Sequence, residues 1–169
     1  AGVDFIEHGF YLDESVCESM AEKQIPLVST LSFLQRTANW KGPGVPDYAP
    51  PKARKILADA VHSLSLAHSK GVLIAMGTDT FAEPLTPFGL NAEEVICLNE
   101  AGLSPQSCLL AATKVASEVL GLSNKIGTIE IGKQADVVLY NVHDYKYIPY
   151  HYGVNHVWKV VKNGVLLDF

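Results

Sequence analysis

Apolar positions recur along this chain in two rhythms, and the rhythm changes once. Val72 to Met76 is an unbroken apolar run that stops at Gly77, Thr78 and Asp79. Short runs of this kind read as buried parallel strands covered on both faces, so a strand is expected over 72–80. Val3 to Ile6 reads as an earlier strand running into Glu7, His8 and Gly9, and Ile25 to Phe33 as another, entered through Pro26. A helix is expected over 14–23 behind Asp13 as N-cap. Three-four spacing at Ala53, Ile56, Leu57, Ala60, Val61, Leu64 and Ala67 predicts a long helix, opened by Pro50 and Pro51 and ended by Gly71. Asn91 followed by Glu94 has capping-box form and starts the next helix. Ser104-Pro105 caps the last one, with Leu109, Ala112, Thr113, Ala116, Val119 and Leu120 as its buried face and Gly121 at its end.

From residue 126 the period is two. Ile126 to Lys133, Ala135 to Tyr140 and His156 to Leu167 read as short strands, with Asn163-Gly164 as a type I′ hairpin turn. Two long loops are expected, Gln35 to Tyr48 and Phe81 to Gly89, the second punctuated by Pro84, Pro87 and Gly89. Loops of that length in a compact domain tend to serve function. Strands alternating with helices imply right-handed parallel units, so the fold class is α/β with a small β layer at the end. A first segment, 1–125, carries the alternating part and a second, 126–169, the β part.

Composition narrows the partners. With 48% hydrophobic residues the chain is globular, and that apolar content is high enough to suggest surfaces that other polypeptide covers. A net charge of −5 with no basic run argues against nucleic acid as a partner. No apolar stretch approaches the roughly 18 residues that span a bilayer, so no membrane role is expected. Cys17, Cys97 and Cys108 are odd in number and lack metal-type spacing. They read as free buried thiols in a reducing compartment, and a cytoplasmic location follows.

Candidate chemistry centres on two positions. His8 and Asp79 each end an expected parallel strand at its carboxyl end, the edge where α/β folds place their sites. Imidazole nitrogen with carboxylate oxygen suits zinc or another divalent ion, and a carboxylate there can move a proton between water and a leaving group. Taken alone, Asp79 reads equally well as a cap for the next segment. A catalytic zinc has three protein ligands, and no HxH or HExxH pair completes the set in this chain. Ser29, Thr30 and Ser32 end the second strand as substrate contacts or as a cap. His62 and His68 fall on the long helix, where a surface or partly buried role outweighs ligation. His143, His151 and His156 fall in the β tail, whose aromatic run Tyr145 to Tyr152 packing explains as well as ligand binding does.

Ile6-Glu-His-Gly9, Gly77-Thr-Asp-Thr80 and Ala111-Ala-Thr-Lys-Val-Ala116 with Leu120-Gly121 resemble the C-terminal portion of amidohydrolase-superfamily enzymes. Gly127-Thr-Ile-Glu-Ile-Gly-Lys-Gln-Ala-Asp136 is similar to that family's return into its small β domain. The first half is most similar to the Xaa-Pro dipeptidase branch. The tail, Tyr147 to Val157 with Lys162-Asn-Gly164, looks more like imidazolonepropionase. The resemblance implies strands six to eight of a (β/α)8 TIM-type barrel over 1–125 and part of an accessory β-sandwich over 126–169. It implies one or two metal ions, zinc or another divalent cation, with His8 and Asp79 as ligands and catalytic groups. It implies a metal-dependent hydrolase of a C–N bond in a small amide or dipeptide. The remaining ligands would lie in the N-terminal half of the barrel, the partner this chain lacks, so the chain alone is expected to be inactive. A homo-oligomer is also expected. The alternative from a different class is a noncatalytic α/β remnant that binds a partner protein through its exposed sheet.

Overall fold

Strands β1 (Ile6–Glu7), β2 (Leu27–Ser29) and β3 (Ile74–Met76) lie side by side, all parallel, in the order β1-β2-β3. The structure is a computed structural model and describes residues 2–81, 85–151 and 154–168. The strands are shorter than the apolar runs suggest, because pairing lasts only two or three residues before each chain turns away.

Helix α1 (Glu14–Glu22) starts where expected, with the Asp13 carboxylate accepting the Val16 N–H. Its end, and the end of α3 (Ala49–Ser69), share one device. At Gly71 (φ +84) the N–H bonds the His68 carbonyl, and Val72 N–H reaches back to Ala67. This Schellman arrangement satisfies the last carbonyls and aims the chain into β3. Gln24, at φ +54, makes the same turn after α1 and aims the chain into β2. The expected face of α3 is the one it buries: Ala53, Ala60, Leu64 and Ala67 are fully covered, with Ile56, Leu57 and Val61 packed at the margin.

The segment after β2 departs from expectation. The run Ile25 to Phe33 is not one strand: it stops at Ser29, Thr30 leaves the extended region (φ −144, ψ 39), and α2 (Leu31–Asn39) begins at once. Leu31, Leu34 and Ala38 fall three and four apart, and burying them makes a helix of residues that also fit a strand. The loop expected from Gln35 therefore begins only at Trp40.

Helix α4 (Glu93–Glu100) carries no capping box. Asn91 Oδ1 accepts from Gly89 N–H, its amide nitrogen donates to Thr78 Oγ1, and Glu94 points elsewhere. The last helical run is α5 (Pro105–Leu110), a π turn (Ala111–Val115) and α6 (Ala116–Val119). The π turn widens the ladder and rotates the buried face. Cys108, Ala111, Val115 and Ser117 are covered, whereas Thr113 and Leu120 of the expected face are exposed.

In the tail, β4 (Val137–Tyr140), β5 (Val157–Lys162) and β6 (Val165–Leu167) form an antiparallel sheet in chain order, with the short helix α7 (Tyr147–Tyr150) between β4 and β5. Asn163 and Gly164 have φ of +52 and +78, the mirror-image turn their pairing called for. Asp136 locks it, accepting from Asn163 N–H at 2.8 Å and from Lys162 Nζ at 2.6 Å, and these bonds hold its carboxyl below the usual range. Residues 126–133 form turns instead of the expected strand, with Ile129 and Ile131 wholly outside. Gly127 is required there: at φ +93, a Cβ would lie 2.2 Å from Ser117 Oγ. Pro84, Tyr152 and Gly153 lie outside the described residues.

No helix among the described residues is long and apolar enough to cross a membrane. Cys17, Cys97 and Cys108 are free and buried, as expected, and burial pushes all three thiols up, Cys108 to about 11.

Candidate active site

Because the three strands are parallel, their carboxyl ends open on one edge. Register aligns Glu7 with Val28 and Val28 with Ala75, so His8 follows β1 directly and Asp79 stands three residues beyond β3 on that same edge. Both side chains are exposed. Strand β2 runs between them, separating the two backbones by about 10 Å, twice the usual strand spacing. The fold brings the two residues to one rim without bringing them into mutual contact.

Both residues also hold left-handed backbone, His8 at φ +66 and Asp79 at φ +52. Such values are uncommon for residues other than glycine, and histidine and aspartate are among the types that tolerate them best. The other non-glycine examples include ordinary turn positions: Gln24 ends a helix and Asn163 makes a hairpin. His8 is the centre of a tight turn, Gly9 N–H bonding the Glu7 carbonyl at 2.8 Å, and Asp79 stands in the segment that leaves β3. Left-handed backbone at such residues is a local cost of the kind that clusters at functional sites.

His8 Nδ1 lies 2.8 Å from Thr30 Oγ1, the residue just past β2. That contact ties up one ring nitrogen and leaves Nε2 as the nitrogen available to a ligand. The His8 ring also packs 5.8 Å from Phe10. Thr30 is the N-terminal residue of α2 yet caps nothing with its hydroxyl. The first two α2 amides go instead to Glu94, wholly buried on α4. Its Oε1 accepts from Ser29 Oγ at 2.5 Å and Leu31 N–H at 2.9 Å, and its Oε2 from Ser32 N–H at 2.6 Å.

On the other side of the rim, Thr78 Oγ1 accepts from both Asn91 Nδ2 and Thr80 Oγ1. A narrow hollow beside Asp79 is walled by Ser32, Arg36, Thr78, Thr80 and Glu93, with Arg36 and Glu93 paired across it. Gly77 makes the approach of β3 to this rim possible. Its N–H bonds the Ser29 carbonyl at 2.9 Å, and a Cβ at Gly77 would stand 2.9 Å from that same oxygen and 2.8 Å from Val28. Gly77→Ala is therefore expected to cost about 1–3 kcal/mol, read by denaturant unfolding, because one of the two obstructions is backbone and cannot swing aside.

Glu94 is the residue behind this rim that sequence reading misplaced. Its signal was an acid inside an otherwise buried pattern, beside Val95 and Leu98, and a capping box supplied too ready an explanation. Of the other histidines, His62 and His143 are exposed and remote in sequence from the rim. His151 stacks on Tyr147 at 5.2 Å and meets His156 edge-on, a packing role in the tail. Among the described residues, no group of three or more His, Cys, Asp or Glu is placed to hold a metal ion.

Similarity to known proteins agrees with this arrangement. The sequence profile of the amidohydrolase family matches residues 1–167. The imidazolonepropionase of Rubrobacter xylanophilus is 36% identical over 129 residues, which is 73% of this chain and 26% of that protein. The imidazolonepropionase of Thermoplasma volcanium is 41% identical over 90 residues, 51% of this chain and 22% of that one. A crystal structure of a Xaa-Pro dipeptidase with bound methionine in the active site superposes with a TM-score of 0.83 at 28% identity, covering 99% of this chain and 40% of its own. The chain thus spans between about a fifth and two-fifths of the length of these relatives. With a match over all but its last two residues, and with the parallel-strand rim in the structure, the chain belongs to the amidohydrolase family.

Proposed function

We propose that this chain is the C-terminal portion of a metal-dependent amidohydrolase that hydrolyses a C–N bond in a small cyclic amide or a dipeptide. The observation that carries the reading is the pair His8 and Asp79. Both stand in left-handed backbone at one edge of a parallel sheet, and Thr30 holds one ring nitrogen of His8. Strands β1 to β3 correspond to barrel strands six to eight, residues 1–125 to the barrel part and 126–169 to the accessory β part. The other strands, and the other ligands, come from polypeptide outside these residues.

The donors present fit a divalent cation in type but not in number. His8 Nε2 and the Asp79 carboxylate supply nitrogen and oxygen, as zinc accepts, and a catalytic site needs at least one ligand more. Such an ion would supply positive charge that polarises a carbonyl and lowers the pKa of water from about 15.7 toward about 7. The chain's own contribution is proton movement and orientation. Asp79 accepts a proton from the water that attacks the carbonyl carbon. The C–N bond then breaks, and Asp79 passes that proton to the leaving nitrogen. His8, fixed by Thr30, would hold the ion through the Nε2 lone pair or, in the other tautomer, donate Nε2–H to the carbonyl oxygen. The names of the relatives, imidazolonepropionase and Xaa-Pro dipeptidase, support an imidazolone ring or an Xaa-Pro bond as substrate. Three buried unpaired thiols support a reducing, cytoplasmic setting.

The test uses the completed protein, this chain together with the polypeptide that supplies the remaining strands. Emission spectroscopy is expected to find about one or two equivalents of divalent metal, reduced in Asp79→Asn, together with hydrolysis of an imidazolone propionate or an Xaa-Pro dipeptide. A metal-free protein that hydrolyses neither would overturn the reading and favour the noncatalytic, partner-binding alternative.

A further inference from the structure

We infer that Glu94 is a positioning residue for His8: by capping α2 from another helix, it releases the Thr30 hydroxyl to hold the histidine ring. The inference rests on the assignment of His8 to the site. A helix start leaves unsatisfied N–H groups, and the usual remedy is a Ser, Thr, Asp or Asn at the N-cap whose side-chain oxygen accepts one of them. Thr30 occupies that position and has a suitable oxygen, yet makes no such bond. Its Oγ1 stands 2.8 Å from His8 Nδ1 instead.

The first two α2 amides are served by Glu94. One carboxylate accepts three hydrogen bonds, from Ser29 Oγ and from the N–H groups of Leu31 and Ser32, which bracket Thr30 on both sides. Its side chain is wholly buried, so no water competes for these bonds, and its negative charge faces the positive end of α2. A buried carboxylate is costly unless fully bonded, and these three donors are what makes the position tolerable. For Nε2 of His8 to offer a lone pair, Nδ1 must carry the proton and donate it to Thr30 Oγ1. Glu94 leaves that acceptor to His8 by taking two of the donors that would compete for it, one of them the N2 amide of Ser32.

Glutamine at position 94 keeps the shape but offers one acceptor oxygen and adds an NH2 facing donors. In Glu94→Gln, Thr30 Oγ1 is expected to turn back to an α2 amide and to release His8 Nδ1. The first readout is independent of turnover: ¹⁵N shifts of the His8 ring in the completed protein, which report its tautomer. Those shifts are expected to change in Glu94→Gln and, by a smaller step, in Glu94→Asp, whose shorter side chain draws the carboxylate back from the Leu31 and Ser32 amides. The second is kinetic, a fall in kcat of about 10–100-fold, the range for losing an outer partner of a site histidine, with KM held. Unchanged His8 shifts and unchanged kcat in Glu94→Gln, with only the melting temperature lowered, overturn the inference. If Glu94→Gln does not fold, unchanged shifts in Glu94→Asp overturn it. Should the completed protein hold no metal and hydrolyse nothing, the ¹⁵N shifts still decide the role of Glu94, so the two readings fail separately.

Discussion

Asp79→Asn in the completed protein is expected to lower kcat by about 10²–10⁴-fold, the span attributed to a positioned proton-transfer group, while leaving the melting temperature nearly unchanged. Asparagine is the informative replacement because of the backbone. Asp79 holds φ +52, a conformation that asparagine adopts as readily as aspartate. Alanine there would add a left-handed cost of roughly 1–2 kcal/mol and confuse loss of stability with loss of function. The exposed side chain has no burial to lose, and the neighbouring hydroxyl bonds of Thr78, Thr80 and Asn91 do not pass through it. The amide keeps an oxygen for orientation but cannot accept a proton at neutral pH. Steady-state kinetics beside a melting curve reads both quantities. Turnover within threefold of wild type, with a lowered melting temperature, would return Asp79 to the capping role that its sequence context equally allowed.

How far the sequence reaches depends on whether a residue's partner is local. The N-cap at Asp13, the Gly71 helix stop and the Asn163-Gly164 turn are legible because each is settled within a few positions along the chain. The α3 face is legible because its period repeats over a long helix. Leu31 to Asn39 is not, because a strand and a helix share the same apolar letters there, and only packing against α3 decides between them. The last helix fails for another reason: its π turn shifts the phase in mid-run, so a spacing counted from Leu109 buries the wrong side. At the rim, His8 and Asp79 were visible as strand-end residues, whereas their conformation was not. Glu94 was hidden because its donors lie some sixty positions away, and a nearer explanation was at hand.

Purified by itself, the 169-residue chain is expected to associate: on size exclusion, an apparent mass at least about twice its 18.3 kDa, with binding of a hydrophobic dye. The reason is exposed area. A compact monomer of this mass presents about 8,100 Å² to solvent by the usual scaling, whereas this chain presents 10,339 Å². The excess, about a quarter, is the size of an obligate interface. Its chemistry agrees. A groove along the open side of β1 is lined by Val3, Ile6, Val16, Met20 and Ile25, and the small sheet shows Val138, Trp158, Val165 and Leu166 to solvent. The three-stranded parallel sheet also has two unpaired edges, at β1 and β3, which invite pairing with another chain. On the proposed reading, further barrel strands would cover the same edges and the same groove, so supplying them is expected to suppress both association and dye binding. A cooperative, dye-free monomer near 18 kDa would mean that these surfaces are stable in water as they stand. The chain would then need no complement in order to fold, and the rim of His8 and Asp79 would have to be completed by a ligand instead of by further strands.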